Sequence, residues 1–170
     1  MSGAGVRFVI YTDGGCRGNP GVGGWGFLLI DRRSGQALER RGGEDHTTNN
    51  RMEMLAAIEG LRALKAPAGE VEVRSDSRYL VDMCSSWMVG WKRRGWKRKG
   101  GPILNLDLVQ ELDRLIQQHD VSFQWVQGHA GDPGNEHADR LTNDAMDQIQ
   151  AGGSPVAEQR YDVSPIDPAA

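Results

Sequence analysis

Four acidic residues in this 170-residue chain invite a joint reading. Asp13 and Asp76 each close an alternating apolar stretch, while Glu53 and Asp139 each lie early in a helical pattern. In an open α/β sheet, strand C-termini and helix starts gather along one edge, where ligands bind. Carboxylates are hard, acceptor-only oxygen ligands, and a group of them repels itself unless divalent cations neutralise it. With no Cys/His set around them, they point to Mg2+ or Mn2+ rather than zinc. Two such ions about 3.5–4 Å apart suit in-line displacement at phosphorus. His129, in a loop with Gly128 and Gly131, is of a type that shuttles protons near neutral pH. Each residue also has an ordinary alternative: a helical Glu is commonly solvated, an Asp at a strand end is commonly a turn or cap residue, and a loop histidine often does nothing chemical. The spacing of the four acids has no local signature, so residue types alone leave both readings standing.

The elements that would position these residues follow from periodicity. Val6 to Asp13 alternates, with Val6, Phe8 and Ile10 on one face and Arg7, Val9 and Tyr11 on the other, as a strand does. Gly14 to Gly24 reads as a glycine-rich loop, Trp25 to Ile30 as a second strand and Gln36 to Gly42 as a third. Thr47 or Thr48 can cap a helix to about Lys65, whose stripe is Met54, Ala57, Ile58, Leu61 and Leu64. Pro67 and Gly69 stop it. Val71 to Asp76 is a fourth strand, and Ser77 caps the helix that follows. After a tryptophan-rich basic stretch comes a helix from about Leu106 to His119, with Leu108, Leu112, Leu115 and Ile116 inward. A fifth strand, Val121 to Val126, precedes a last helix from about Asn135 to Ile149. Three successive strands followed by helix-separated ones predict an α/β domain, a five-stranded mixed sheet with helices on both faces, over residues 1–150. Three prolines and few apolar residues beyond Gly152 predict a disordered C-terminal tail over 151–170.

The net charge of −3 hides a strong asymmetry. Lys92, Arg93, Arg94, Lys97, Arg98 and Lys99 lie between Trp87 and Pro102 with no acid among them, leaving 14 basic against 23 acidic side chains elsewhere. A basic segment on an acidic body reads as a docking patch for nucleic acid. The N-terminus has no apolar secretory core, and no apolar run approaches the ~18 residues of a membrane span. Cys16 and Cys84 make no zinc or CxxC pattern, so a cytoplasmic, reducing location is expected.

The words around the acids form a family pattern. Tyr11 to Gly21 (YTDGGCRGNPG) resembles the first motif of type 1 ribonucleases H, Thr47 to Glu53 (TTNNRME) the second and Ser75 to Ser77 (SDS) the third. Gly128 to Asp139 (GHAGDPGNEHAD) is similar to their loop and last helix, and Trp87 to Lys97 (WMVGWKRRGWK) to their basic protrusion. The blocks occur in the family's order over about residues 6–150. The resemblance implies the ribonuclease H-like fold and an endonuclease, similar in type to bacterial ribonuclease HI, that cuts the RNA strand of RNA–DNA hybrids to leave 5′-phosphate and 3′-hydroxyl ends. It implies that Asp13, Glu53, Asp76 and Asp139 hold two Mg2+, for which Mn2+ can substitute, and that His129 serves proton transfer or product release.

The same resemblance implies the substrate surface. Asn19, Asn49 and Asn50 match positions near the RNA 2′-hydroxyls, for which amides, being both donors and acceptors, are suited. Thr48 and Asn105 match a pocket for a DNA phosphate, Trp91 matches an aromatic beside the DNA strand, and Lys92, Arg93, Arg94 and Lys97 belong to the basic protrusion. At least one of Trp87, Trp91 and Trp96 is expected to pack in the core. Gly15, Arg78, Gly90 and His46 depart from common family residues, which puts single contacts in doubt but none of the five chemical residues. The expected partner is the hybrid, with the protein a monomer and no membrane involved. Two other readings have the same fold or surface: a nuclease selective for branched DNA, and a non-catalytic hybrid-binding module.

Overall fold

The computed structural model describes residues 5–65 and 67–162. The chain begins with an antiparallel meander of β1 (Phe8–Arg17), β2 (Gly21–Asp31) and β3 (Gln36–Thr47). These strands outrun their alternating patterns. The segment after Asp13, expected to be a loop, continues β1 to Arg17, with Gly14 opposite Trp25 and Gly15 opposite Gly24. Glycine has no side chain to display a period, so the pairing here leaves no trace in the pattern.

Helix α1 (Asn49–Arg62) starts where Thr48 Oγ1 accepts from the Arg51 amide at 3.4 Å. Its stripe of Met54, Ala57, Ile58 and Leu61 is buried, as is Leu64 just beyond its end, the helix stopping at Arg62 rather than near Lys65. Strand β4 (Glu70–Ser75) then returns parallel to β1. Ser77 caps α2 (Arg78–Asp82) by accepting from the Leu80 amide at 3.1 Å. A π-helical segment, Met83–Trp87, joins α2 to α3 (Met88–Arg93). The chain proceeds through α4 (Leu106–Gln118), β5 (Asp120–Trp125, parallel to β4) and α5 (Pro133–Gln150). Val109, Leu112 and Leu115 form the buried face of α4, while Leu108 and Ile116 are only partly buried against the same core.

The sheet order is β5-β4-β1-β2-β3-β6, one strand more than expected. The added strand, β6 (Ala157–Asp162), pairs antiparallel with β3 from Gln36↔Asp162 to Arg41↔Ala157. It corrects the expectation that everything from residue 151 is a disordered tail; residues 163–170 lie outside the described residues. Composition hid β6 because it is an exposed edge strand whose one half-buried apolar side chain is Tyr161, and its partner lies more than a hundred residues earlier.

Two cores sandwich the sheet. On one face Ile10, Phe27, Val71 and Val73 pack with α1, α4 and the α2–α3 unit. On the other, Val9, Tyr11, Leu28 and Ile30 pack with Ala138 of α5. Strand β1 is therefore buried on both faces, and its C-terminal half opens onto the edge where α1, α2 and α5 begin. Among the described residues, no helix is long and apolar enough to cross a membrane.

Candidate active site

Asp13 stands on β1, Asp76 just beyond the end of β4 and Glu53 in the second turn of α1. Their carboxylate oxygens lie within 4.8 Å of one another, with Asp13 and Glu53 buried and Asp76 half-buried. The close approach has a steric cause at Gly14. A Cβ there would lie 2.4 Å from the Met52 carbonyl carbon and 2.5 Å from the Glu53 amide nitrogen, so only glycine lets β1 touch α1 at this level.

The cluster's electrostatics are those of like charges held out of water. Burial, then the neighbouring charges of Asp76 and Asp139, push the Asp13 carboxyl up to about 8. Burial, then Asp13 and Asp76, raise Glu53 well above the carboxylate range. Glu53 Oε1 is buried with no hydrogen-bond partner. Hard oxygen donors, mutual repulsion and an orphaned buried oxygen all fit a divalent cation, and none fits a purely structural role. Asp139, half-buried on α5, lies near enough to act on Asp13 but is outside the tight group of three.

The surroundings fix Asp76 from three sides. Asn135 Nδ2 reaches its Oδ2 at 3.4 Å, and Trp125 Nε1 donates to its backbone carbonyl at 3.1 Å. A Cβ on Gly128 would stand 2.8 Å from Asp76 Oδ2, so the loop carrying His129 passes directly against this carboxylate. His129 itself is exposed, with φ 56°. Asp132 Oδ1 ends the loop by capping α5, accepting from the Gly134 and Asn135 amides. Sequence reasoning missed Asn135 and Trp125. Asn135 stands inside the loop-and-helix motif and was legible there as polar; nothing local marks Trp125. Arg78, one of the residues that depart from the family pattern, lays its guanidinium 4.0 Å from the centroid of the Trp125 ring.

The expected substrate residues form a surface leading away from the carboxylates. Asn49 and Asn50 open α1, and Asn19 Oδ1 accepts from the Asn49 amide at 3.2 Å, which ties the β1–β2 turn to that helix start. Asn50, Tyr79, Trp87, Trp91, Arg94 and Arg98 line a cleft of about 530 Å3 that joins the amides to the basic segment. Trp91 is 8% exposed and belongs mainly to the core, whereas Trp87 is 39% exposed. Lys92 is engaged by Asp113 at 2.8 Å, while Arg93, Arg94 and Lys97 are exposed. Thr48 is exposed at the α1 cap, and Asn105 precedes α4 in a left-handed conformation, with α1 and α4 packed side by side. His46 is exposed near the end of β3, and Gly90 lies in α3 against the Arg94 guanidinium.

A six-stranded mixed sheet with a buried carboxylate group at the end of its central parallel strands defines an α/β protein of the ribonuclease H-like class. The solved structure of LC9-RNase H1, described as a type 1 RNase H with the type 2 active-site motif, superposes with a TM-score of 0.77 at 37% identity, covering 93% of this chain and 80% of that one. LC11-RNase H1, solved in complex with an RNA/DNA hybrid, gives a TM-score of 0.62 at 28% identity, covering 85% and 99%. In sequence, the chain is 52% identical over 143 residues to the ribonuclease H of Pseudomonas putida (strain W619), covering 84% of this chain and 95% of that protein. The RNase H family model matches residues 6–147, and the chain belongs to that family, as a type 1 enzyme of the bacterial kind. It is a ribonuclease H, a hydrolase.

Proposed function

We propose that this enzyme cuts the RNA strand of RNA–DNA hybrids with Asp13, Glu53, Asp76 and Asp139 holding two divalent cations, Mg2+ by preference and Mn2+ as a substitute. The observation that carries the reading is the buried, self-repelling carboxylate group with its unpartnered Glu53 oxygen. Bound cations would supply charge neutralisation and a more acidic water. A water adds to the RNA phosphorus and the bond from phosphorus to O3′ breaks, leaving 5′-phosphate and 3′-hydroxyl ends. His129, on an exposed loop beside Asp76, takes up or delivers a proton during this exchange. Asn135 and Trp125 keep Asp76 oriented.

Strand choice belongs to the amide surface. Asn19, Asn49 and Asn50 address the 2′-hydroxyls in the minor groove, which only the RNA strand offers. Thr48 and Asn105 hold a DNA phosphate; Trp91, with the more exposed Trp87, lines the DNA side; and Arg93, Arg94 and Lys97 neutralise further phosphates, with Lys92 available where Asp113 releases it. The protein acts as a monomer in the cytoplasm, the domain expected over residues 1–150 being extended by β6 at the sheet edge. A purely hybrid-binding module has no use for buried carboxylates that cost it stability, which disfavours that alternative. The test is a labelled hybrid incubated with Mg2+ and with EDTA. Cleavage confined to the RNA strand, abolished by EDTA and restored by excess Mg2+, is expected; a hybrid left intact in Mg2+ overturns the proposal.

A further inference from the structure

His137 is the hub of a polar cluster that joins α5 to two strands. Its Nε2 lies 2.8 Å from Glu39 Oε1 on β3 and 2.9 Å from the Tyr161 hydroxyl on β6. Its Nδ1 lies 3.3 Å from the Arg140 guanidinium. Arginine only donates, so Nδ1 accepts and the ring proton sits on Nε2, facing Glu39. The Tyr161 hydroxyl also bonds the Glu39 carboxylate, and these bonds, that of His137 first, hold the Glu39 carboxyl below its usual range. The side chains of Glu39 and His137 are each 17% exposed, so the cluster is largely sheltered. Tyr161 packs against the core that includes Ala138, the residue between His137 and Asp139. The rest of β6 is tied to β3 by Arg40–Glu158 at 2.7 Å and by Gln36 Nε2 donating to Asp162 Oδ1 at 2.6 Å.

We propose that Tyr161, Glu39 and His137 are positioning residues for Asp139: strand β6 latches α5 onto β3 and so sets the roll of the helix about its axis. The inference rests on the reading of Asp139 as a cation ligand. Asp13, Glu53 and Asp76 already converge through β1, α1 and β4, but Asp139 lies outside that tight group and its reach depends on the pose of α5. Residues two apart in an α-helix point about 200° from each other. A roll that frees His137 therefore carries Asp139 the opposite way. With side-chain atoms about 6 Å from the axis, a roll of about 10° moves the carboxylate roughly 1 Å, a displacement that can cost on the order of 100-fold in rate. Other ties hold α5 at different levels: Asp132 at its first turn, and Arg17 on Asn143, Asp147 and Gln150 in its second half. The Tyr161–Glu39–His137 cluster acts at the level of Asp139.

The experiment uses the full chain and the variants Tyr161→Phe, His137→Ala, His137→Gln and Asp139→Asn. Mn2+ binding is measured by calorimetry without hybrid, and kcat and KM are measured on a hybrid. Tyr161→Phe and His137→Ala are expected to lower kcat about 3–10-fold with KM changed less than about twofold, and to weaken Mn2+ binding several-fold. His137→Gln, whose amide can still donate to Glu39, should recover most of the loss, and the Tyr161→Phe/His137→Ala double variant should be little worse than His137→Ala. Should His137→Ala fail to fold, Tyr161→Phe, which keeps the ring and removes only the hydroxyl, decides alone. Wild-type kcat and Mn2+ binding in the folded variants, with Asp139→Asn inactive, overturn the latch and leave the site reading intact. Wild-type turnover by Asp139→Asn overturns the site reading itself.

Discussion

Asp13 carries the clearest electrostatic penalty of the site, and the penalty has a pH dependence. Its carboxyl is pushed from an ordinary 3.8 up to about 8, mainly by burial and then by Asp76 and Asp139. A folded pKa above the unfolded one means that the folded state holds the proton more tightly. Its contribution to stability is full below about pH 4 and is lost as pH rises through about 8. In EDTA, Asp13→Asn should therefore melt close to the parent at pH 5 and be more stable at pH 9, by on the order of 1–3 kcal/mol after allowance for relaxation. The same variant should lose cleavage, because an amide lacks the charge that holds a cation. Urea or thermal melts at the two pH values check the first outcome and a cleavage assay the second. Equal stability at pH 9 would mean that the cluster is not under the strain described. On the proposed reading of Asp13 as a cation ligand, function opposes stability at a single residue.

Among the elements, the basic segment has a divided role. Trp91 anchors α3 in the core, Lys92 bonds Asp113, and the cations on either side of Gly95 face outward. Arg93, Arg94, Lys97 and Lys99 are therefore the residues to change together. Their replacement by alanine should raise KM for the hybrid and flatten its salt dependence, since each phosphate contact adds roughly −0.9 to the log–log slope on a B-form duplex. Turnover should change much less, because these groups bind ground and transition states alike. A quadruple variant with the parental KM and salt slope would reduce the segment to a solvated face. Lys92→Ala alone should cost little affinity, its charge being already engaged.

At the scale of the whole molecule, the groups proposed for chemistry, sugar recognition and phosphate binding occupy separate places. The carboxylates lie on β1, after β4 and in α1, the three asparagines at the start of α1 and the β1–β2 turn, and the cations on and around the wall of the cleft. Sugar selectivity should consequently survive the quadruple basic substitution. Hybrids carrying 2′-O-methyl groups around the scissile phosphate should resist cutting by the parent and the variant alike, because Asn19, Asn49 and Asn50 lose their partners in both. Parallel time courses on modified and unmodified hybrids measure this. Efficient cutting of the methylated substrate would separate those amides from strand choice.

Much of this arrangement was legible in the sequence because it is written locally. Thr48 and Ser77 cap helices within three residues of themselves, the stripe from Met54 to Leu64 repeats at the helical period, and motif words surround Asp13, Glu53 and Asp76. Those residues determined the order of the elements up to α5, the fold class and the carboxylates that can gather at one site. The tertiary structure alone decided how far the meander runs through its glycines, that Trp91 is mostly buried, that Lys92 is spent on Asp113, and that Asn135 and Trp125 hold Asp76. It also turned a proline-flanked segment into β6 and brought Tyr161 to His137. Apart from the glycine meander, whose strands pair within a hairpin, these features depend on pairings between residues 21 to more than 120 positions apart, whose strength comes from close approach and exclusion of water. No local period or cap records such a contact, because its free energy exists only once the two elements have met.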